Sequence, residues 1–261
     1  MIDDFKTIEH SFPENRDIKI YPISDLHLGA KDCMIKSWMK FIKKLEQEPD
    51  SYITISGDMM NNSVVGSVGD VYNETMTPTE QKEFLRDSLQ PIKDKILCIT
   101  PGNHEYRSTK VTNDHPLYDV AFNLGIDDKY RQNGAFLCVR IGDKSKRGSS
   151  NPSYMIAVAH GAGGGRKRGS SVNRIEDFAK DMEGLDMLIV GHTHKPVTFP
   201  IEKIVLDPFK KVVKKKTVKL VVATSWVEYG DYAFRHLMSP GGYCLQEIML
   251  NGNLKEMRVL Q

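Results

Sequence analysis

Residues 18–27 read Ile18-Lys19-Ile20-Tyr21-Pro22-Ile23-Ser24-Asp25-Leu26-His27, a short β-rich apolar run that breaks into Asp-x-His. The same arrangement recurs four times further along the chain. Residues 52–55 lead into Ser56-Gly57-Asp58, and residues 96–100 into Pro101-Gly102-Asn103-His104-Glu105. Residues 154–159 lead into His160-Gly161, and residues 187–190 into Gly191-His192-Thr193-His194. Short apolar runs bounded by turn-forming clusters read as strands. Between them, 35–47, 79–90, 117–124 and 174–181 carry helical spacing, and Thr77-Pro78 followed by Glu80 reads as a helix start. Strands alternating with helices predict an α/β plan. A further strand candidate lies at 135–141, and the hairpin-like C-terminal third, with candidates at 220–224 and 243–250, predicts antiparallel hairpins added over 197–261.

With 261 residues, 40% hydrophobic and 27% charged, the composition excludes a disordered or fibrous chain. No repeat or Pro/Ser-rich linker divides it, so a single domain over 1–261 is expected. A balance of 36 Lys+Arg against 34 Asp+Glu leaves +2. Any anion recognition is therefore local, and extended non-specific duplex binding is not expected. Cys33, Cys98, Cys138 and Cys244 are scattered, which predicts reduced thiols and a cytoplasmic protein rather than a thiolate zinc site. Neither a signal-type N-terminus nor an apolar run of about 18 residues is present, so no membrane partner is expected. Trp38 and Trp226 read as core residues.

In open α/β sheets, ligands bind in the crevice outside the carboxyl ends of the strands. Five strand ends bearing Asp, Asn and His therefore point to one site. Asp-x-His, Gly-Asp or Gly-Asn-His alone is weak, since Asp and Asn favour turns; the ordered set is not. Two carboxylates, an amide oxygen and several imidazoles without thiolates suit borderline divalent ions, Mn²⁺ foremost, with Fe²⁺, Zn²⁺ or Ni²⁺ as alternatives. There are too many ligands for one ion. Two ions about 3.5 to 4 Å apart would share a carboxylate, hold a hydroxide nucleophile and draw charge from a phosphoryl oxygen, which implies phosphate-ester hydrolysis.

The order Asp25-x-His27, Gly57-Asp58, Gly102-Asn103-His104-Glu105, His160 and Gly191-His192-Thr193-His194 closely resembles the signature of the calcineurin-like metallophosphoesterase superfamily. It covers residues 25–194, about two thirds of the chain. The resemblance implies a four-layer α/β/β/α sandwich with two mixed sheets, and two divalent metal ions at the strand ends. By matching positions, Asp25, His27 and His194 would bind one metal, Asp58 would bridge, and Asn103, His160 and His192 would bind the other. His104 would contact the phosphate and protonate the leaving oxygen, as suits an imidazole titrating near neutral pH. Glu105 would orient His104 or cap the following turn.

Two segments bear on the substrate. Gly161 to Gly169 reads GAGGGRKRG, whose amides and cations, Arg166 and Arg168 among them, would either clamp an extra phosphate or form a flexible solvated loop. In the insertion after Asp58, Asn61 and Asn62 would bond substrate oxygens and Tyr72 would stack on a base, or the segment is an ordinary loop cap. Together the two segments are also similar to metallophosphoesterases carried by bacteriophages and prophages. An extra cationic clamp favours a phosphodiester, so a nuclease or nucleotide phosphodiesterase acting on DNA ends, single strands or a nucleotide is expected. The alternatives are a phosphomonoesterase or phosphoprotein phosphatase and a non-catalytic scaffold. Against the phosphatase, Asp58 is followed by Met59-Met60-Asn61-Asn62 instead of x-x-Asp-Arg-Gly; against the scaffold, no ligand is missing. The lysine-rich stretch 203–219 alternates with valine and reads as a solvated hairpin with one dry face rather than a nucleic-acid contact.

Overall fold

The computed structural model describes residues 5–67, 71–143, 151–163, 168–235, 237 and 239–261. It contains strands β1 (Ile8–Phe12), β2 (Ile18–Ile23), β3 (Ser51–Ser56), β4 (Ile96–Thr100), β5 (Ala135–Ile141), β6 (Ser153–Ala159), β7 (Met187–Val190), β8 (Val197–Asp207), β9 (Val212–Val222), β10 (Glu247–Leu250) and β11 (Met257–Leu260). The helices are α1 (Ile35–Gln47), α2 (Pro78–Leu89), α3 (Glu105–Thr112), α4 (Pro116–Asn123), α5 (Arg168–Lys180) and α6 (Asp231–Arg235). They build two mixed sheets, ordered β1-β5-β6-β7-β9-β8 and β11-β10-β2-β3-β4.

Alternation along the strands explains the layering. On β2, Ile18 and Ile20 face inward against Leu137, Val139, Ile156 and Ile189 of the other sheet. Tyr21 and Ile23 face outward against Trp38, Phe41 and Leu45 of α1 and Leu85 and Leu89 of α2. Behind the six-stranded sheet, Ile175 and Ala179 of α5 cover Leu188, Leu220 and Val222. The order helix, sheet, sheet, helix is the expected four-layer α/β/β/α sandwich. Trp38 and Trp226 are fully buried, ring against ring at 5.5 Å.

Thr77 begins α2 with a full capping box: its hydroxyl accepts from the Glu80 amide while Glu80 reaches back to the Thr77 N–H. Several features depart from the sequence reading, the short helix α6 among them. β1 and α3 were not foreseen, since Glu9, His10 and Ser11 break the apolar pattern of an edge strand, and Glu105 to Thr112 has little apolar periodicity. The strand expected at 243–250 spans only Glu247–Leu250, and the one at 220–224 is the end of the eleven-residue β9. The expected dry face of the 203–219 hairpin is open to solvent at its outer end, with Ile204, Leu206 and Val213 exposed. The four cysteines are free thiols. Among the described residues no helix is long and apolar enough to cross a membrane.

Candidate metal centre

β2, β3 and β4 are parallel neighbours in one sheet, and β6 and β7 are parallel neighbours in the other. Their carboxyl ends open on one crevice, where Asp58 of the first sheet meets His160 of the second. Five of the seven expected ligands adopt left-handed backbone: Asp25 (φ 54°), His27 (50°), Asp58 (50°), His192 (70°) and His194 (54°). Each such residue costs about 1–2 kcal/mol, and such strain clusters at functional sites. Here it is held by backbone bonds between strand ends, from the Asp25 N–H to Gly57 O (3.0 Å) and from the His27 N–H to Asp58 O (3.0 Å).

Asp25, His27 and His194 form one group of donor atoms, and Asp58, His160 and His192 another, each within 4.8 Å. A third group, His27, Asp58 and His104, links them. Asn103 Oδ1 joins the second group, 3.1 Å from His160 Nε2. All seven residues expected from the sequence are thus brought together.

The donor set fits divalent cations. His27 Nε2 stands 3.1 Å from His194 Nε2, and His160 Nε2 stands 3.2 Å from His192 Nδ1, separations that need a proton or a cation between the ring nitrogens. Asp25 Oδ1 is buried and lies 3.1 Å from His194 Nε2, with no hydrogen bond of good geometry among the described residues. Its other oxygen accepts from the His192 N–H (2.8 Å). His160 Nδ1 lies 2.7 Å from Ser56 O, which assigns its proton there and leaves Nε2 directed at the cluster. Burial opposes ionisation of both aspartates. His194, His27 and His160 nevertheless hold Asp25 well below the usual carboxylate range, and His160, His104 and His27 hold Asp58 down to about 2.

His104 is fixed differently. Its Nδ1 lies 2.9 Å from Asn61 O and its Nε2 lies 3.0 Å from Arg107 Nη2. The network assigns the proton to Nδ1 and leaves Nε2 an acceptor of the guanidinium. Burial, with His27 and Arg107 nearby, lowers the ring to about 3, with Asp58 opposing. Proton donation to a leaving oxygen requires Nε2 both to be released from Arg107 and to take up a proton first. Arg107 was missed in the sequence. Reading α3 as a helix would have found it, because positions three apart share a face.

Glu105 does neither of the things expected of it. Fully buried, it accepts from the N–H groups of Asp58 (2.9 Å), Met60 (3.0 Å) and Gly102 (2.8 Å), tying two ligand loops together. Burial and the Asp58 charge raise its carboxyl, and its amide donors oppose them. A Cβ on Gly102 would overlap the Asp58 carboxylate and backbone. Gly102→Ala is therefore expected to displace Asp58 and to lower kcat by about 10²-fold, the order associated with a misplacement of roughly 1 Å. Steady-state kinetics on a Gly102→Ala protein with native circular dichroism checks this, and unchanged kcat would contradict it.

The substrate-binding expectations fare unevenly. Asn62 is fully buried, its Nδ2 bonded to His104 O and Ser108 Oγ (2.9 Å each), so it shapes the loop and does not face substrate. Tyr72 is wholly exposed in a short turn whose neighbour Asn73 accepts from Lys31. Arg166 lies outside the described residues, and so does the side chain of Arg168. In the same region Arg174 of α5, also missed, packs its guanidinium against Gly163.

The chain matches the calcineurin-like phosphoesterases over residues 18–196, and it belongs to that family. The family is dinuclear and metal-dependent, and the crevice holds residues able to bind such metals. The DNA polymerase II small subunit of Archaeoglobus fulgidus is 28% identical over 111 residues, 35% of this chain and 21% of that one. Its counterpart from Methanocaldococcus jannaschii is 31% identical over 109 residues, 36% of this chain and 18% of that one. The chain thus matches only about a fifth of these relatives' length. Among solved structures, Haemophilus influenzae NAD nucleotidase is similar with a TM-score of 0.38 and 10% identity, over 94% of this chain and 49% of that one. A Saccharomyces cerevisiae serine/threonine phosphatase gives a TM-score of 0.37 and 11% identity, over 98% and 83%. At such scores neither likeness bears on activity.

Proposed function

We propose that the chain is a single metallophosphoesterase domain over 1–261 that hydrolyses phosphodiesters, as a nuclease or nucleotide phosphodiesterase of the cytoplasm. The observation that carries this is the pair of donor groups, each drawing residues from both sheets, that a third group of His27, Asp58 and His104 links. Asp25, His27 and His194 would hold one divalent ion, Asn103, His160 and His192 the other, and Asp58 both. Mn²⁺ is the first choice among Mn²⁺, Fe²⁺, Zn²⁺ and Ni²⁺. When bound, the ions supply Lewis acidity toward a phosphoryl oxygen and an activated water.

The protein's own groups do the positioning. Glu105 holds the Asp58 and Gly102 loops, the His104 N–H donates to Asp58 Oδ1 (2.8 Å), and Asn61 O sets the His104 ring. Arg107 donates to Asn61 O (2.9 Å) and to His104 Nε2 (3.0 Å), and its remaining N–H groups at the edge of the donor cluster are suited to a non-bridging phosphoryl oxygen. The preference for a diester rests on Arg166, Lys167 and Arg168, which follow His160 closely in the sequence, and on the partial likeness to two archaeal DNA polymerase small subunits.

The test strips the protein of metal, reloads it with Mn²⁺ and compares an aryl phosphodiester, the matching monoester and end-labelled single- and double-stranded DNA. Diester and DNA cleavage dependent on metal is the expected result. Monoester turnover alone would make the chain a phosphatase, and inactivity with every divalent ion would make it a scaffold.

A further inference from the structure

The total charge of +2 conceals a separation. Residues 203–219 carry seven lysines against one aspartate, a local +6, so the remainder of the chain is at −4. These residues form most of the β8–β9 arm, whose register runs unbroken from Val197↔Val222 to Asp207↔Val212. β9 is parallel to β7, whose carboxyl end leads to His192 and His194, so the root of the arm lies beside the metal centre and its tip at the far end of the sheet. Ten residue steps along β9 at about 3.3 Å each put the tip roughly 33 Å from the root. It is too remote to touch the reacting phosphate.

The arm is anchored at its middle and open beyond. Lys203 donates to the carbonyls of Ala179, Lys180 and Met182 at the end of α5, and Lys216 pairs with Asp186 (3.0 Å). Beyond these two, residues 208–215 are all exposed. The turn is set by Asp207 Oδ1, which accepts from the N–H groups of Phe209 (3.2 Å) and Lys210 (2.9 Å), and by Lys211 in left-handed backbone (φ 52°). Lys210 and Lys211 have no carboxylate partner among the described residues, and Lys214 and Lys215 make only surface pairs, with Asp207 and Glu202. Phe209 is 95% exposed at the tip, and Ile204, Leu206 and Val213 share one uncovered face.

We propose that the outer half of this arm is a contact for duplex DNA, a second anchoring surface apart from the catalytic crevice. Charge complementarity selects a polyanion, and a second copy is disfavoured because two arms would meet with like charge. Pro200, which has no N–H to offer, also protects edge strand β8 against strand addition. A two-stranded β-ribbon is of a size that enters the major groove of DNA, where lysines reach phosphates and apolar side chains meet thymine methyl groups. The choice of DNA over other polyanions rests on the phosphodiesterase reading. A span of about 33 Å corresponds to roughly ten base pairs at 3.4 Å each, so only substrates of that length or more can engage arm and crevice together.

The test measures equilibrium binding of a labelled 30-base-pair duplex to the full chain bearing Asp58→Asn, so that the probe survives. The same protein is then examined with Lys210, Lys211, Lys214 and Lys215 changed to Ala. At 0.1 M salt the fourfold change is expected to weaken binding at least tenfold and to lower the slope of log K against log salt by about three to four, near one per lost phosphate contact. Phe209→Ala should weaken binding while leaving the slope unchanged. Turnover of the small aryl phosphodiester, with Asp58 restored, should not change in the fourfold variant. Equal affinity for the duplex in both proteins would overturn the proposal. So would loss of binding to vesicles containing anionic phosphatidylserine, or loss of a dimer, with duplex binding intact. If the arm effect stands but no diester is cleaved, the catalytic reading fails and the arm does not.

Discussion

Asp58→Asn is expected to keep the fold and to lose at least about 10³-fold in kcat, equivalent to roughly 4 kcal/mol of transition-state stabilisation. The substitution conserves shape, and a carbonyl at Oδ1 can still accept from the His104 N–H at 2.8 Å. What disappears is the negative charge that His160 faces across 3.2 Å and that stands beside His27 and His104 as well as His160 and His192. Asp58 is the carboxylate through which the third group links the other two, so its removal should reduce bound metal from two ions to one or fewer per chain. Elemental analysis and circular dichroism on the same sample separate this from unfolding. Wild-type turnover in a folded, metal-poor Asp58→Asn protein would contradict the role assigned to this residue.

Glu105→Ala should produce the largest loss of stability of any single change in the crevice. Three backbone amides, those of Asp58, Met60 and Gly102, donate to this one buried carboxylate. Truncation leaves all three buried without an acceptor, at about 1–3 kcal/mol each before relaxation, so a total of roughly 3–5 kcal/mol is expected. For a chain of this size that corresponds to a fall in Tm of about 6–20 °C. Glu105→Gln keeps one carbonyl oxygen and should fall between the wild type and Glu105→Ala. Thermal denaturation of the metal-free proteins reads the effect without contribution from bound ions, and equal Tm values would show that the amides find other acceptors. A kcat loss in Glu105→Gln at saturating metal would add that the loop geometry, and not stability alone, depends on this carboxylate.

The centre was legible in the sequence because its chemistry is written at strand ends. A strand must stop where its apolar run stops, and in parallel sheets all such ends lie on one side, so Asp25, Asp58, Asn103, His160, His192 and their neighbours converge wherever the strands pair. The sandwich was legible for a related reason, since the two-residue period of β2 marks one face for each neighbouring layer. Asn62 and Glu105 were misread because a polar residue beside a ligand looks the same whether it faces substrate or backbone. Only burial distinguishes the two, and burial is set by chain segments distant in sequence, such as Gln81 and Ser108 packed against Asn62.

By itself, then, the sequence determined the candidate ligand types, their order and the α/β plan, because these depend on residue identity and local period. The tertiary structure alone decided the rest. It places Arg107 against His104, turns Glu105 toward three amides, and extends the lysines of β8–β9 to the end of the sheet away from the crevice. Each of these is a relation between segments, set by which strands pair and in which direction, and no local pattern of residues encodes it.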